Sequence, residues 1–319
     1  MVETTYMAVS NALLSIVVPV YGCASCLEVL CQRIDSTFPE ATQDYEVILV
    51  DDRSPDQSWT VIRDLQRRYG RVKGVRLSRN FGQHIAITAG LAQARGDYAV
   101  VMDCDLQDPP EIMPLLIAKI DEGYDLVLAR RVERNHSVFR LLGAKAYFRL
   151  LEHLTEESVD GSYGTFSILS RKVIDNFLLF DEKERHYLFI LRWLGFRIGT
   201  IDYEHQKRFA GRSSYTFRAL FRHAVDGLFF QATVLLRWIV GLGLLHALFG
   251  LLLAGVFVFS YFIQGSLPGW TSLVVLVLLS TGAILISLGV IGQYIGKIFE
   301  QTKGRPLYVI DSISERTSK

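Results

Sequence analysis

The 319-residue chain has almost no net charge, +1 at neutral pH. A domain that grips nucleic acid needs a strongly basic face, so no nucleic-acid partner is expected. Between Trp238 and Gly296 charge is missing altogether, with no Asp, Glu, Lys or Arg. Such a stretch cannot form a water-facing surface, and a chain of this length has too little else to bury it. No GxGxxG or GxxxxGK[ST] run follows any apolar strand pattern, which removes the usual support for dinucleotide redox chemistry and for P-loop hydrolysis. Cysteine is scarce, with residues only at 23, 26, 31 and 104. Cys23 and Cys26 form a CxxC, but the sequence shows no second ligand pair for zinc, so small buried thiols in a reducing compartment are expected. Residues 1–12 lack both a basic start and a long apolar run; they read as a tail, and no cleavable signal peptide is expected.

Within the uncharged stretch, 238–263 and 270–291 are each long enough to cross a hydrocarbon layer of about 30 Å as helices. Residues 264–269 supply a turn. Arg218, Arg222 and Arg237 precede this pair, and Lys297, Lys303 and Arg305 follow it. The positive-inside rule therefore predicts a transmembrane hairpin spanning 238–296, with both chain ends in the cytoplasm. Residues 214–237 interleave Phe and Leu with Arg218, Arg222 and His223, the pattern of amphipathic helices at a membrane interface. Residues 297–319 read as a cytoplasmic tail. Gly292 and Gly296 form a small-xxx-small pair that favours close helix packing and predicts a homo-oligomer.

The remainder alternates short apolar runs with amphipathic stretches, which predicts an α/β domain with a mostly parallel sheet. Strands are expected at 14–19, 46–50, 72–77, 98–102, 126–129 and 165–169. Helices are expected at 23–37, 57–69, 83–94 and 111–122, with further helices up to residue 194. Ligands of such sheets bind beyond the carboxyl ends of the strands. Asp51 and Asp52 follow one predicted strand there, and Asp103 and Asp105 follow another.

The most specific segment is Asp103-Cys104-Asp105-Leu106-Gln107-Asp108-Pro109-Pro110-Glu111. Two carboxylates one residue apart at a strand end can share a hard divalent cation, Mg²⁺ or Mn²⁺. Such a cation is held by few protein ligands together with substrate phosphates, and it neutralises charge on a diphosphate leaving group.

With this segment in view, almost the whole chain resembles glycosyltransferase family 2, and within it the polyprenyl-phosphate enzymes related to dolichol-phosphate mannose synthase and the bactoprenol glucosyltransferases. The resemblance rests on Ser15-Ile16-Val17-Val18-Pro19-Val20-Tyr21, Val50-Asp51-Asp52-Arg53-Ser54, Ser78-Arg79-Asn80-Phe81-Gly82, the Asp103 segment and the basic loop from Arg208 to Tyr215. Gly292-Gln293-Tyr294-Ile295-Gly296 and Arg305-Pro306-Leu307-Tyr308 look like the bactoprenol-type subgroup. The resemblance implies a GT-A, Rossmann-like catalytic domain over 13–213. It implies nucleotide-sugar contacts from Pro19, Tyr21, Asp51, Asp52 and Asp103, and a metal held by Asp103, Asp105 and Gln107. Asp105, Asp160 and Arg208 are the implied catalytic residues, and Arg131, Arg140, Lys207 and Arg212 the implied acceptor-phosphate contacts. The implied reaction is inverting transfer of one sugar, UDP-glucose being the first donor, to a polyisoprenyl phosphate. Two alternatives stand beside it: a processive polysaccharide synthase, for which Arg192-Trp193 lacks the glutamine of a QxxRW motif, and a noncatalytic membrane scaffold.

The chain departs from the family pattern in three places. Gly22 stands where Asn is usual, Ser214 stands where Lys is usual, and the DxGxFR pattern reads Asp160-Gly161-Ser162-Tyr163-Gly164-Thr165-Phe166-Ser167. A phosphate monoester has its second pKa near 6, so the lipid phosphate is mostly dianionic at neutral pH. Positioning is therefore expected to matter more than a strong general base.

Overall fold

The computed structural model describes residues 12–38, 44–132, 162–183, 185–206, parts of 239–263, and 269–315. Asp160, Arg140, Lys207, Arg208 and Arg212 lie outside these residues, as does the 214–237 segment expected to be amphipathic.

The chain divides into two units, one formed by 1–143, 160–214 and 306–319 and the other by 144–159 and 215–305. The first unit is built on an eight-stranded sheet. Its strands are β1 (Leu14–Val20), β2 (Tyr45–Asp51), β3 (Val72–Leu77), β4 (Tyr98–Val101), β5 (Leu126–Val132), β6 (Tyr163–Ser170), β7 (Ile198–Glu204) and β8 (Ile310–Ser314). They lie in the order β7-β5-β6-β4-β1-β2-β3-β8. β4, β1, β2 and β3 are mutually parallel, whereas β6 runs antiparallel to both its neighbours and β8 antiparallel to β3.

Helices cover both faces. α1 (Ala24–Thr37), α2 (Ser58–Arg68) and α4 (Met113–Ile120) pack on one side, and α3 (Gln83–Gln93), α5 (Arg171–Leu178) and α6 (Tyr187–Trp193) on the other. β1 therefore reads as an unbroken apolar run, all of it buried: Ile16 and Val18 join the first layer while Val17 joins the second. α3 lies so close to the sheet that a Cβ on Gly90 would come within 2.3 Å of Val17 Cγ1. Close packing at this point seats the N-terminus of α3 beside the end of β4.

Two strands are not among those expected from the sequence. β7 buries only Gly199 and Tyr203 on one face, so its apolar signal is thin. β8 lies in the segment read as a tail, and it closes the β3 edge instead.

In the second unit, α7 (Trp270–Thr302) is 33 residues long and extends past the expected boundary at 291. Its stretch Leu279–Thr302 is long and apolar enough to cross a membrane, has a mean hydropathy of 1.5, and has no buried part. Every described residue within 239–263 is helical as well. His246 Nε2 lies 3.1 Å from Ser280 Oγ, which ties this apolar segment to α7. Side chains such as Phe262 and Ile286, 81% and 71% exposed, need an apolar medium around them.

Candidate active site

The carboxyl ends of β1, β2 and β4 meet where the strand order turns, which is where open α/β sheets bind ligands. Tyr21 is exposed at the end of β1, and Pro19 is buried within that strand. Gly22, which follows, has φ +67° and donates its N–H to Ser54 Oγ at 3.1 Å. Glycine adopts this left-handed conformation freely, and asparagine is among the few other residues that tolerate it. The backbone thus accounts for a Gly here in place of Asn.

Asp51 and Asp52 are both buried but do different work. Asp51 Oδ1 accepts the Ser54 N–H at 2.9 Å, and its Oδ2 lies 3.2 Å from Arg76 Nε. Asp52 takes the amides of the facing turn, Phe81 N at 2.7 Å and Gly82 N at 2.8 Å. Burial pushes the Asp52 carboxyl above its ordinary range, while those two amides pull it back. Asp52 thus ties the end of β2 to the turn that precedes α3, and Arg53 after it takes the left-handed conformation at φ +57°.

Asp103 sits immediately beyond β4. Its Oδ1 accepts hydrogen bonds from Gln83 Nε2 at 2.6 Å and Thr165 Oγ1 at 2.9 Å, which locks one rotamer. Enclosure first, and then the nearby charge of Asp108, push its pKa up to about 6, although Thr165 and Arg131 oppose the shift. Asp105 is partly exposed, and its Oδ1 accepts the Gln107 N–H at 3.2 Å. Gln107 ties this loop to the segment after β7: Gln206 N donates to Gln107 O at 3.0 Å, and Gln107 Nε2 donates to Gln206 O at 3.3 Å. Gln206, the last described residue after β7, is therefore held at the acidic loop.

Asp108 anchors the arrangement and was given no role from the sequence. It is wholly buried and accepts a hydrogen bond from Tyr203 OH. Arg131 Nη2 and His205 Nδ1 each lie 3.5 Å from its Oδ1. Burial alone would raise the Asp108 pKa, but His205, Arg131 and Tyr203 outweigh it and hold the carboxyl below its usual range. Arg131 also donates its Nε–H to Tyr203 OH at 3.1 Å, and it lies across Gly164, where a Cβ would be 2.5 Å from Nη2. That glycine, in the altered DxGxFR pattern, is the seat of the arginine. Gln83, Thr165, Tyr203 and His205 were likewise missed, because their link to the acidic loop spans distant parts of the chain.

The structure thus brings Asp103, Asp105, Gln107 and Arg131 together beyond β4, with Asp51, Asp52 and Tyr21 at the neighbouring ends of β2 and β1. All four cysteines are free thiols; Cys31, buried, has its pKa pushed up to about 12, the behaviour of an inert thiol.

Residues 15–178 match the family model for glycosyl transferase family 2. Among known proteins, the chain is 35% identical over 298 residues to a Bacillus subtilis protein named uncharacterized glycosyltransferase YkcC, covering 93% of this chain and 92% of that one. It is 34% identical over 304 residues to the undecaprenyl-phosphate 4-deoxy-4-formamido-L-arabinose transferase of Proteus mirabilis, covering 94% and 93%. Among solved structures, glucosyl-3-phosphoglycerate synthase from Mycobacterium tuberculosis, in complex with Mn²⁺, UDP-glucose and phosphoglyceric acid, superposes with a TM-score of 0.50 at 20% identity, covering 72% of this chain and 83% of that one. That likeness concerns the fold.

Proposed function

The chain belongs to glycosyltransferase family 2, and from that premise we propose that it transfers a single sugar, with inversion, from a nucleotide-diphosphate donor to a polyisoprenyl phosphate at the cytoplasmic face of a membrane. UDP-glucose is the first donor to test and undecaprenyl phosphate the first acceptor. The observation that carries the reading is the strand-end cluster, in which Asp103 and Asp105 stand with the half-buried cation Arg131 in a chain that also has an exposed apolar helix. The acceptor follows from chemistry: a long prenyl chain stays in the bilayer, and its phosphate needs a cationic seat. The Proteus mirabilis relative, named for undecaprenyl phosphate, supports this choice.

The donor set fits Mg²⁺ or Mn²⁺. Among the described residues no group of three or more His, Cys, Asp or Glu forms a complete protein cage. Two carboxylates and an amide suit a hard cation that takes its remaining ligands from substrate phosphates. Asp103 and Asp105, with Gln107 beside them, would hold it, and when bound it would neutralise the charge of the departing diphosphate. Arg131, fixed by Asp108 and Tyr203, would receive the lipid phosphate with its orientation already set. Asp160, Arg208, Arg140, Lys207 and Arg212 are proposed to complete the acceptor side.

The raised pKa of Asp103 has a testable sign. Below about pH 6 the carboxyl holds a proton that a cation must displace, so Mn²⁺ affinity should weaken by up to about tenfold per pH unit below that point. Titration of Mn²⁺ with UDP between pH 5 and 7.5 checks this; a flat profile would contradict the assignment of Asp103 as a ligand.

The two-span reading draws support from β8. The sheet holds strands from before and after the apolar segment, and a sheet lies on one side of a bilayer. With α7 proposed to cross the bilayer, an even number of crossings between β7 and β8 keeps the sheet on one side, and this supports 238–263 as the second crossing. The homo-oligomer is proposed to pack through Gly292 and Gly296, where a Cβ would meet no described atom within 4 Å.

The decisive experiment is transfer of radiolabelled sugar from UDP-glucose, GDP-mannose and other donors to undecaprenyl phosphate by detergent-purified protein, with Mg²⁺, Mn²⁺ or EDTA. A single-sugar lipid formed only with metal is expected. Donor consumption without a lipid product would point to a different acceptor.

A further inference from the structure

β8 is separated in sequence from the rest of its sheet by the whole apolar segment, and seven residues, 303–309, connect it to α7. It pairs antiparallel with β3, from Gly74 opposite Ser314 to Leu77 opposite Ile310. Ile310 and Tyr308 pack against the second core layer. Glu315, just beyond the strand, lies 3.3 Å from the buried Lys73 and 2.5 Å from Arg95. The segment is therefore built into the domain.

Three contacts lead from it to the loop that carries Asp51 and Asp52. Ser312 is the cross-strand neighbour of Arg76, whose Nε holds Asp51 Oδ2 at 3.2 Å. Asp311 Oδ2 lies 3.4 Å from Arg53 Nη1, and Arg53 is the left-handed residue directly after Asp52. Val309 O accepts the Ser78 N–H at 2.9 Å, at the base of the turn whose Phe81 and Gly82 amides Asp52 takes. The Arg53–Asp311 pair is about half exposed on both sides and contributes little by itself. The strand pairing carries more weight: without β8, β3 becomes an open edge, and Arg76, the partner of the fully buried Asp51, then stands on that unpaired strand.

We infer that docking of β8 on β3 and nucleotide binding at the Asp51–Asp52 loop are energetically coupled, so that the segment after the apolar helices positions the donor site. This rests on the proposed reading of that loop as the nucleotide contact. Arg76 and Asp311 are positioning residues here: they act through Asp51 and Arg53.

The test uses the full-length protein in detergent with a protease site inserted after Gly304. Nicking frees the C-terminal peptide to exchange, and a synthetic peptide covering 305–316 can be added back. With UDP and Mn²⁺ as the probe, removal of the peptide should weaken UDP binding about tenfold, within the usual range of coupled sites, and saturating peptide should restore it. By linkage, UDP with Mn²⁺ must tighten binding of the labelled peptide by the same factor, which a purely structural strand would not do. Ser312→Pro in the unnicked chain, which removes a ladder N–H, should weaken UDP binding in the same direction. Equal UDP affinity with and without the peptide, or peptide affinity indifferent to UDP, overturns the coupling. If the intact chain binds neither UDP nor GDP, the nucleotide reading itself fails, and the inference with it.

Discussion

Asp105→Ala is expected to lower sugar transfer by about 10³-fold or more while the protein stays folded. The magnitude is that of removing a preorganised electrostatic contact from a reaction that expels a diphosphate. The fold should survive because the Asp105 side chain is partly exposed and the amide it accepts, that of Gln107, belongs to the same loop. Surface substitutions of this kind usually change stability by no more than about 0.5 kcal/mol. Turnover with saturating Mn²⁺, paired with thermal unfolding of the same sample, separates the two effects. A variant that kept most of its turnover with metal present would show that the cation is held elsewhere.

Asp108→Ala should be the most destabilising single substitution in the acidic segment, although Asp108 is not expected to touch donor or acceptor. Its carboxylate is fully buried and faces Tyr203, Arg131 and His205. Removing one partner of a buried ion pair leaves the other charge uncompensated, at a cost of about 3–5 kcal/mol. Arg131 keeps some solvent contact, with a side chain 27% exposed, so the lower part of that range applies. For a domain of this size the unfolding midpoint should fall by roughly 10 °C. Asp108→Asn retains an acceptor for Tyr203 OH and should lose less stability, yet it no longer neutralises Arg131. Its acceptor KM should therefore change even where the fold holds. Equal unfolding midpoints for Asp108→Ala and the parent would refute the anchoring role.

The parallel core was legible because each of its strands is an apolar run of the right length bounded by helix or turn residues. β3 was placed at its observed bounds, and β1, β2 and β4 within one residue at either end. β7 and β8 were not, for a common reason: edge strands bury one face at most and carry a weak local pattern. Ile310–Ser314 has its two Ile three positions apart, so it lacks the period of two that marks a strand, and it reads equally well as a solvated tail. Only the open edge of β3, made by residues more than two hundred positions earlier, makes it a strand.

The site divides in the same way. The sequence by itself determined which carboxylates stand at strand ends, since strand periodicity and the Asp-Cys-Asp spacing put Asp51, Asp52, Asp103 and Asp105 there. It also determined that one long segment must leave water, since nothing charged occurs across it. What each carboxylate does was decided by the tertiary structure alone. Asp52 gives its oxygens to two loop amides, Asp108 is sealed against a cation, and Asp103 is enclosed, with Asp108 nearby, so that its pKa is raised. These side chains are chemically identical, so burial and the neighbours brought from β5, β7 and α3 distinguish them, and both are properties of packing between distant parts of the chain.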